Sequence, residues 1–230
     1  MESLEQEALK IQHPYFPRDA PLDHYVPSQF NVGEAFMTLG SAIAVLMVTS
    51  AVLIKRSSKQ LTCKDKSIVV WMMVCAGIHI VLEGYFSFNH KNLAGMQTVM
   101  ADLWREYAHS DSRYLTSDPF TVIMEGITAI CDGSFAAVTA YGVLVDSPIR
   151  YPAQLVTSLM QLYGNILYMG INCMEGFRYT NPHPYYFYGY FVLMNAFWIV
   201  IPICLIVDAV KNLYRGMLIA QRAAIVKKAN

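Results

Sequence analysis

The chain has 230 residues, of which 55% are hydrophobic and 15% are charged. Soluble domains carry roughly 25% charged residues, so this composition argues against a water-soluble globular protein and favours a membrane protein. The 17 basic and 17 acidic residues balance, and no net positive charge points to nucleic acid as a partner. Five cysteines occur singly, which indicates neither a disulfide framework nor a zinc site.

Apolar segments long enough to cross a bilayer recur along the chain. A crossing helix needs roughly 20 predominantly apolar residues. Five segments meet this length: 32–54, 67–88, 120–145, 152–173 and 185–210. We therefore predict an all-α, polytopic membrane protein whose single membrane domain, 32–210, is a bundle of five transmembrane helices. A polar N-terminal arm, 1–31, precedes it without the basic start and apolar core of a signal peptide, and a basic tail, 211–230, follows it.

The segment between the second and third predicted spans, 89–119, is polar but contains one apolar stripe. Its apolar residues recur at spacings of three and four, which is the period of one helix face. We predict a short amphipathic helix that lies at the membrane interface or caps the bundle. The stripe consists of Met96, Val99, Met100, Leu103, Trp104 and Tyr107.

The distribution of Lys and Arg predicts the orientation of the bundle. With five spans, eleven of the 17 basic residues fall on the side of the first loop, the third loop and the C-terminal tail, and six fall on the other side. Basic loops remain cytoplasmic, so the C-terminus is expected in the cytoplasm and the N-terminus across the membrane.

The second predicted span contains two ionisable residues, His79 and Glu83. They are four residues apart and therefore share one helix face. An ionisable side chain near the centre of a membrane helix costs at least roughly 2.5 to 3.5 kcal/mol by insertion scales, so its presence there suggests a function. A carboxylate beside an imidazole can fix its tautomer or share its proton. A structural pair that holds two helices together explains the same pattern.

Further polar groups lie in the remaining spans at helical spacing. Glu125, Thr128 and Asp132 occupy one face of the third span, and Asn195 and Trp198 are three residues apart in the fifth. Structural roles explain the same residues. Thr128 and Asn195 could form structural hydrogen bonds, and Trp198 could fill packing space. Asp132 could be solvated at a helix break. The fourth span adds two candidate cavity residues, Tyr163 and Asn165, and also contains Gln161 and Tyr168.

These residue types suit acid-base chemistry on an apolar molecule. Carboxyl groups on two sides of a bound molecule could add a proton at one carbon and remove one from another. An indole face such as that of Trp198 stabilises a cation by roughly 2 kcal/mol when desolvated. A metal site formed by His79, Glu83 and Glu125 is disfavoured because no HExxH motif and no second buried histidine accompany them. Glycine-rich phosphate loops and a GxSxG elbow do not occur.

Six stretches in chain order carry a resemblance to a known family. They are 79–86 (HIVLEGYF), 103–114 (LWREYAHSDSRY), 124–128 (MEGIT), 161–164 (QLYG), 194–198 (MNAFW) and 208–211 (DAVK). Together they resemble the emopamil-binding protein family, the sterol Δ8,Δ7-isomerases, over roughly residues 13–213. The segment Asp132-Gly-Ser134 departs from the Trp-Gly-Pro of mammalian-type members and resembles the emopamil-binding-like branch.

The resemblance implies a five-span EXPERA bundle in the endoplasmic reticulum membrane with a sterol cavity that opens to the bilayer. The family moves a ring double bond: a proton is added at ring carbon 9, a cation forms at carbon 8, and a proton leaves carbon 7. The family's functional residues fall on six positions, namely His79, Glu83, Glu125, Thr128, Asn195 and Trp198.

The hypothesis is a 3β-hydroxysteroid Δ8 to Δ7 isomerase of sterol biosynthesis that needs no cofactor. His79, Glu83 and Glu125 are assigned to proton transfer, with Glu125 or His79 as the donor and Glu83 holding the cation. Thr128 and Asn195 would orient these groups, and Trp198 would face the cation. The expected partners are a Δ8-sterol, lipophilic amine inhibitors and membrane lipid, and the oligomeric state is left open, with a homodimer as one alternative.

Two rival functions use the same residues. A non-catalytic membrane protein that binds sterols or lipophilic amines needs the aromatic wall and one carboxylate, but not a complete proton relay. A proton-coupled transporter is supported by buried acids but disfavoured because the sequence has no internal repeat.

Overall fold

The computed structural model describes residues 13–22 and 24–229, and long helices dominate this part of the chain. We number six helices: α1 Val32–Arg56, α2 Cys63–Asn89, α3 Val99–Tyr107, α4 Pro119–Leu144, α5 Arg150–Met174, and α6, which begins with Tyr185–Met194 and continues as Asn195–Ala229. No strand occurs in the described ranges. Short 3₁₀ turns at Leu93–Gly95 and Ser112–Tyr114 flank α3.

Side-chain caps explain where several helices begin. Asn31 accepts a hydrogen bond from the Glu34 backbone at 3.0 Å while Glu34 accepts one from the Asn31 backbone at 2.8 Å, a capping box that starts α1. Such boxes satisfy two amide groups that the first helical turn leaves unpaired. At α4, Asp118 caps the Thr121 amide at 2.9 Å, and Pro119 occupies the first helical position, where it loses no hydrogen bond.

Four of the described helices are long and apolar enough to cross a membrane, namely α1, α2, α4 and α6. They coincide with four of the predicted spans. Exposed apolar side chains on α1, such as Met37, Val45 and Val48, form the outward surface that such a protein presents to lipid. The 35-residue α-helical part of α6 would extend about 50 Å, well beyond a hydrocarbon layer of about 30 Å, so its last turns project past the bundle.

Helix α5 is 25 residues long but is less apolar than the four helices that could cross a membrane by length and composition. Its polar side chains Gln154, Thr157, Gln161 and Asn172 are buried against the other helices. Inward-facing polar groups lower the mean hydropathy of a helix without exposing those groups to lipid. The fifth membrane crossing therefore stays a prediction.

The predicted amphipathic segment, residues 89–119, contains α3, and we call this segment the cap. Two buried ion pairs lie within this cap: Arg105 donates to Asp102 at 2.6 Å, and Arg113 donates to Asp111 at 2.7 Å. Burial raises the pKa of Asp102, but hydrogen bonds from Ser28 and Arg105 outweigh burial and hold that pKa below its ordinary value. The cap is thus held together internally by charge pairs as well as by packing, and its location at the membrane interface or over the bundle stays a prediction.

Candidate active site

A cavity of about 220 Å³ lies inside the bundle and is lined by residues of all six helices. Its wall brings together eight of the nine residues that the sequence singled out for the site. These are His79, Glu83, Glu125, Thr128, Asp132, Asn165, Asn195 and Trp198. The remaining wall is largely apolar and aromatic, which suits an apolar ligand.

Tyr163 does not lie at the cavity wall, where the sequence predicted it. This tyrosine is 65% exposed and does not line the cavity. Successive residues on an α-helix are about 100° apart, so Asn165 faces the cavity while Tyr163, two positions earlier, points away from it. The aromatic ring of Tyr163 belongs to the outer surface of α5.

Two π-helical segments carry the polar groups of α2 and α4. Ile78–Glu83 in α2 faces Thr128–Asp132 in α4. Gly133 permits their close approach, because a Cβ atom there would lie 2.5 Å from Ile80 Cγ1 and 3.4 Å from His79 Cβ. A π turn widens the helix locally and is frequent at functional sites. Here it directs the side chains of both helices toward the same volume.

His79 is held at both ring nitrogens. Its Nδ1 atom lies 2.7 and 2.8 Å from the two carboxylate oxygens of Glu83, and its Nε2 atom lies 3.0 Å from Nε2 of Gln161. Because an amide nitrogen donates, His79 Nε2 accepts this bond, and the ring proton sits on Nδ1 and is donated to Glu83. The imidazole is only 2% exposed. Its ring therefore orients Glu83 rather than facing the cavity with an unoccupied nitrogen.

Glu83 receives hydrogen bonds from two helices. In addition to His79, the hydroxyl of Thr128 on α4 donates to Glu83 Oε2. The same hydroxyl lies 3.0 Å from the backbone oxygen of Glu125. Two donors stabilise negative charge on Glu83, since hydrogen bonds to an ionised acceptor are strong in a buried site. Glu83 thus has the surroundings of a fixed anion at the cavity wall.

Glu125 is buried and has a different partner. The phenol of Tyr114 donates to Glu125 Oε1 at 2.6 Å. The ring of Tyr114 stacks on Trp104 with centroids 4.8 Å apart, which fixes the phenol over the carboxyl group. Glu83 and Glu125 are therefore two carboxyl groups with unlike hydrogen-bond partners, an arrangement that favours separate acid and base roles.

Asn195 and Trp198 belong to the part of the cavity wall that α6 contributes. The Asn195 side chain donates to the Phe191 backbone oxygen at 2.7 Å, and Asn165 donates to the Asn195 backbone oxygen at 2.9 Å. These bonds satisfy backbone carbonyls at the junction between the π-helical and α-helical parts of α6. Trp198 packs against Trp71 with ring centroids 5.7 Å apart, and its indole borders the cavity.

Several cavity residues were not among the predicted site residues. Gln161 and Tyr114 contact the predicted acids and base, and both fall inside stretches that resemble the family. Glu106 also borders the cavity, where burial raises the pKa of its carboxyl group against a hydrogen bond that Tyr190 donates at 2.8 Å. The hydrogen bond between Glu106 of α3 and Tyr190 of α6 could not be predicted, because the pairing of these two helices leaves no local signal in the sequence. The π-helical segments leave no such signal either.

Within residues 13–22 and 24–229, no group of three His, Cys, Asp or Glu side chains is arranged to hold a metal ion. The chemistry available to the described residues of the cavity is that of carboxyl groups, an imidazole, hydroxyl groups and aromatic faces.

Comparison with known proteins gives a consistent family. Residues 99–209 match the EBP family, described as EXPERA (EXPanded EBP superfamily). The chain is similar to 3-beta-hydroxysteroid-Delta(8),Delta(7)-isomerase of Rattus norvegicus, with 40% identity over 87% of this chain and 88% of that protein. It is 31% identical to a probable isomerase of the same name from Arabidopsis thaliana, over 84% and 85% of the two chains. A protoglabretal synthase of Ailanthus altissima is 32% identical over 87% and 92%.

Proposed function

Since the chain belongs to the EBP family of EXPERA proteins, we propose that it is a 3β-hydroxysteroid Δ8,Δ7-isomerase of sterol biosynthesis. The observation that carries this proposal is the pair of differently bonded carboxyl groups, Glu83 and Glu125, on the wall of one largely apolar cavity. A double-bond shift requires one group to give a proton and another to take one, and it requires no redox partner.

Glu125 is the proposed proton donor. Its proton forms the new C–H bond at ring carbon 9 with the electron pair of the 8,9 double bond, which leaves the cation at carbon 8. The buried Tyr114 phenol donates to one oxygen of Glu125 and leaves the other available for the proton that is transferred. Tyr114 also stabilises the carboxylate that remains after transfer.

Glu83 is the proposed base and the anion that faces the cation. It takes the proton from carbon 7, and the electron pair of that C–H bond becomes the 7,8 double bond. His79 and Thr128 hold the Glu83 carboxylate from two helices, so that its oxygens are oriented before the sterol binds. Proton transfer from Glu83 back to Glu125 restores the starting state, and atoms and charge balance over the cycle.

Trp198 and Asn195 would stabilise the cation from the part of the wall that α6 contributes. An indole face attracts a cation through its quadrupole, and the contact with Trp71 restricts the rotation of Trp198. Asn195 and Asn165 fix this stretch of α6 through backbone hydrogen bonds. In this account Asn195 positions the wall, and its amide does not take part in proton transfer.

We further propose that α5 forms a fifth crossing in the endoplasmic reticulum membrane and that the C-terminus faces the cytoplasm. Support for the crossing is the length of α5 and its burial of polar side chains against other helices. The orientation follows from the excess of basic residues in the first loop and the C-terminal tail.

Sterol conversion in a yeast strain without its own isomerase tests the proposal. Expression of the chain should convert accumulated Δ8-sterols to Δ7-sterols, and combined Glu83→Gln and Glu125→Gln replacement should abolish that conversion. A protein that binds sterol tightly in this strain but never converts it would instead be the non-catalytic binder.

A further inference from the structure

Asp132 is a buried carboxyl group that the proposed proton transfer does not use. It is the last residue of the π segment in α4 and is 0% exposed, and it borders the cavity. No donor within residues 13–22 or 24–229 forms a hydrogen bond with either of its carboxyl oxygens. Among the described residues, the one side-chain donor to Asp132 is the hydroxyl of Thr157, which bonds its backbone oxygen at 3.2 Å.

This isolation is unusual for a carboxyl group inside a membrane bundle. Burying a polar group without a hydrogen bond is unfavourable, and an ionisable group at membrane depth is expected to pair or to serve a ligand. The other buried acids have protein donors: Asp102 has Arg105, Asp111 has Arg113, and Glu125 has Tyr114. A bound molecule could therefore supply the hydrogen-bond donor that the carboxyl group of Asp132 lacks.

The surroundings of Asp132 define the end of the cavity at which this donor would sit. Asp132 follows Thr128 by four residues, so it lies about one helical turn from the level at which Thr128 contacts Glu83. The tight contact of Gly133 with α2 places Asp132 close to the level of His79. Gln161 Oε1 is a second buried acceptor on the cavity wall without a donor among the described residues. Asp132 and Gln161 thus present buried acceptor oxygens at the cavity wall that no donor among the described residues satisfies.

We propose that Asp132 accepts a hydrogen bond from the 3β-hydroxyl of the sterol and thereby sets the register of the ring system against Glu83 and Glu125. The inference rests on the proposed isomerase function. The hydroxyl is carried by ring A, which is fused to the ring that contains carbon 7, so an anchor about one helical turn from Glu83 suits the molecule. The apolar tail would then extend toward the part of the wall formed by Ala35, Phe36 and Leu39 of α1.

A matched pair of sterols isolates this hydrogen bond. The 3β-hydroxy Δ8-sterol can donate to Asp132, whereas its 3-methyl ether keeps the oxygen but has no proton to donate. The ratio of kcat/KM for the two sterols is measured with wild type, Asp132→Asn, Asp132→Leu and a control, Gln154→Leu. Gln154 is also buried in the bundle, but it binds the Leu205 carbonyl and Asp208 and does not line the cavity.

Wild type should prefer the hydroxy sterol by about tenfold or more, because a site built to accept a hydrogen bond rejects an analogue that cannot donate one. Asp132→Leu should reduce this preference to within about twofold of unity, while Asp132→Asn, whose side-chain oxygen still accepts, should retain part of it. Gln154→Leu should keep the wild-type ratio even if less protein folds.

Equal turnover of both sterols by wild type would overturn the role of Asp132, and so would an unchanged preference in Asp132→Leu. Either result leaves the proposed isomerase intact, because both require turnover. Absence of turnover of either sterol by folded wild type would contradict the proposed function itself.

Discussion

Gln161 Nε2 donates a hydrogen bond of 3.0 Å to His79 Nε2, on the side of the imidazole that is opposite Glu83. Both nitrogens of the ring are therefore engaged by protein groups. The sequence left Glu125 and His79 as alternative proton donors. The contacts of His79 favour Glu125 and give His79 the role of a positioning residue, which acts on the substrate through Glu83.

Loss of the Gln161 amide should slow turnover without removing the cavity. We expect Gln161→Met to lower kcat by about tenfold, because one net hydrogen bond that orients His79 is lost. KM and the affinity for a lipophilic amine should change by less than about threefold. Steady-state kinetics of the purified protein check this, with Gln154→Met as a control two turns away on the same helix. An equal fall of kcat in both variants would indicate a general packing defect.

The phenol of Tyr114 should matter more than its ring. Tyr114→Phe keeps the stacking on Trp104 but removes the donor to Glu125, so we expect kcat to fall by about tenfold to a hundredfold. Tyr25 is a buried tyrosine of the N-terminal arm that does not line the cavity, so Tyr25→Phe should retain wild-type kcat. Full activity of Tyr114→Phe would remove the phenol from the proposed mechanism.

Charge at the cavity wall predicts selective binding of lipophilic amines. A bound ammonium resembles the cationic intermediate, so it should bind more tightly than a neutral isostere of the same shape. Glu83→Gln should lower the amine affinity by about tenfold or more and change that of the isostere by less than about threefold. Radioligand competition in membranes measures both affinities. Equal affinity of amine and isostere for wild type would argue against a cation-stabilising site.

The stability of the cap should depend on pH through His109. Its ring stacks on Tyr186 with centroids 4.5 Å apart and packs at a tilt against Tyr15 with centroids 4.9 Å apart. Burial, with a smaller contribution from the charge of Arg18, lowers the pKa of His109 to about 4. An unfolded histidine titrates near 6.5. Between these two values the unfolded chain binds a proton that the folded chain does not, so stability falls as the pH is lowered from about 6.5 to about 4.

Replacement of His109 by Phe keeps the stacking and removes the titrating group. The Tm of His109→Phe in detergent should therefore fall less than that of wild type between pH 6.5 and 4. The same replacement at the exposed His24 serves as the control and should keep the wild-type pH dependence. A parallel decline in wild type and His109→Phe would assign the acid sensitivity of the cap to other groups.

Helix positions were predictable because membrane spans leave a long, local hydrophobic signal. Four predicted spans coincide with helices long and apolar enough to cross a membrane. For α5 the length was predicted, but its inward-facing Gln and Asn side chains weaken the same signal. Helix α6 differs most from its predicted span, 185–210, because it continues to Ala229. The basic tail contains good helix formers, and neither proline nor glycine follows Gly216 within the helix.

The site was predictable where one helix face carried the signal, as with His79 and Glu83 or Glu125 and Thr128. Their convergence on a common cavity was a hypothesis at the level of the sequence, since spacing within one helix does not specify its neighbour. The roles of Gln161 and Tyr114 required three-dimensional contacts, because each residue acts on a group in another segment. The outward orientation of Tyr163 could not be predicted either, because aromatic residues occur both on cavity walls and on lipid-facing surfaces.

The most direct test of the mechanism is the rate at which purified Glu125→Gln converts a Δ8-sterol to its Δ7 isomer. The glutamine cannot give the proton that starts the reaction, so kcat should fall by about 10³-fold or more, while binding of a lipophilic amine remains within about tenfold of wild type. Glu106→Gln, which changes a carboxyl group at the cavity wall outside the proposed relay, should lose far less. A Glu125→Gln protein that turns over sterol within about tenfold of the wild-type rate would contradict the account.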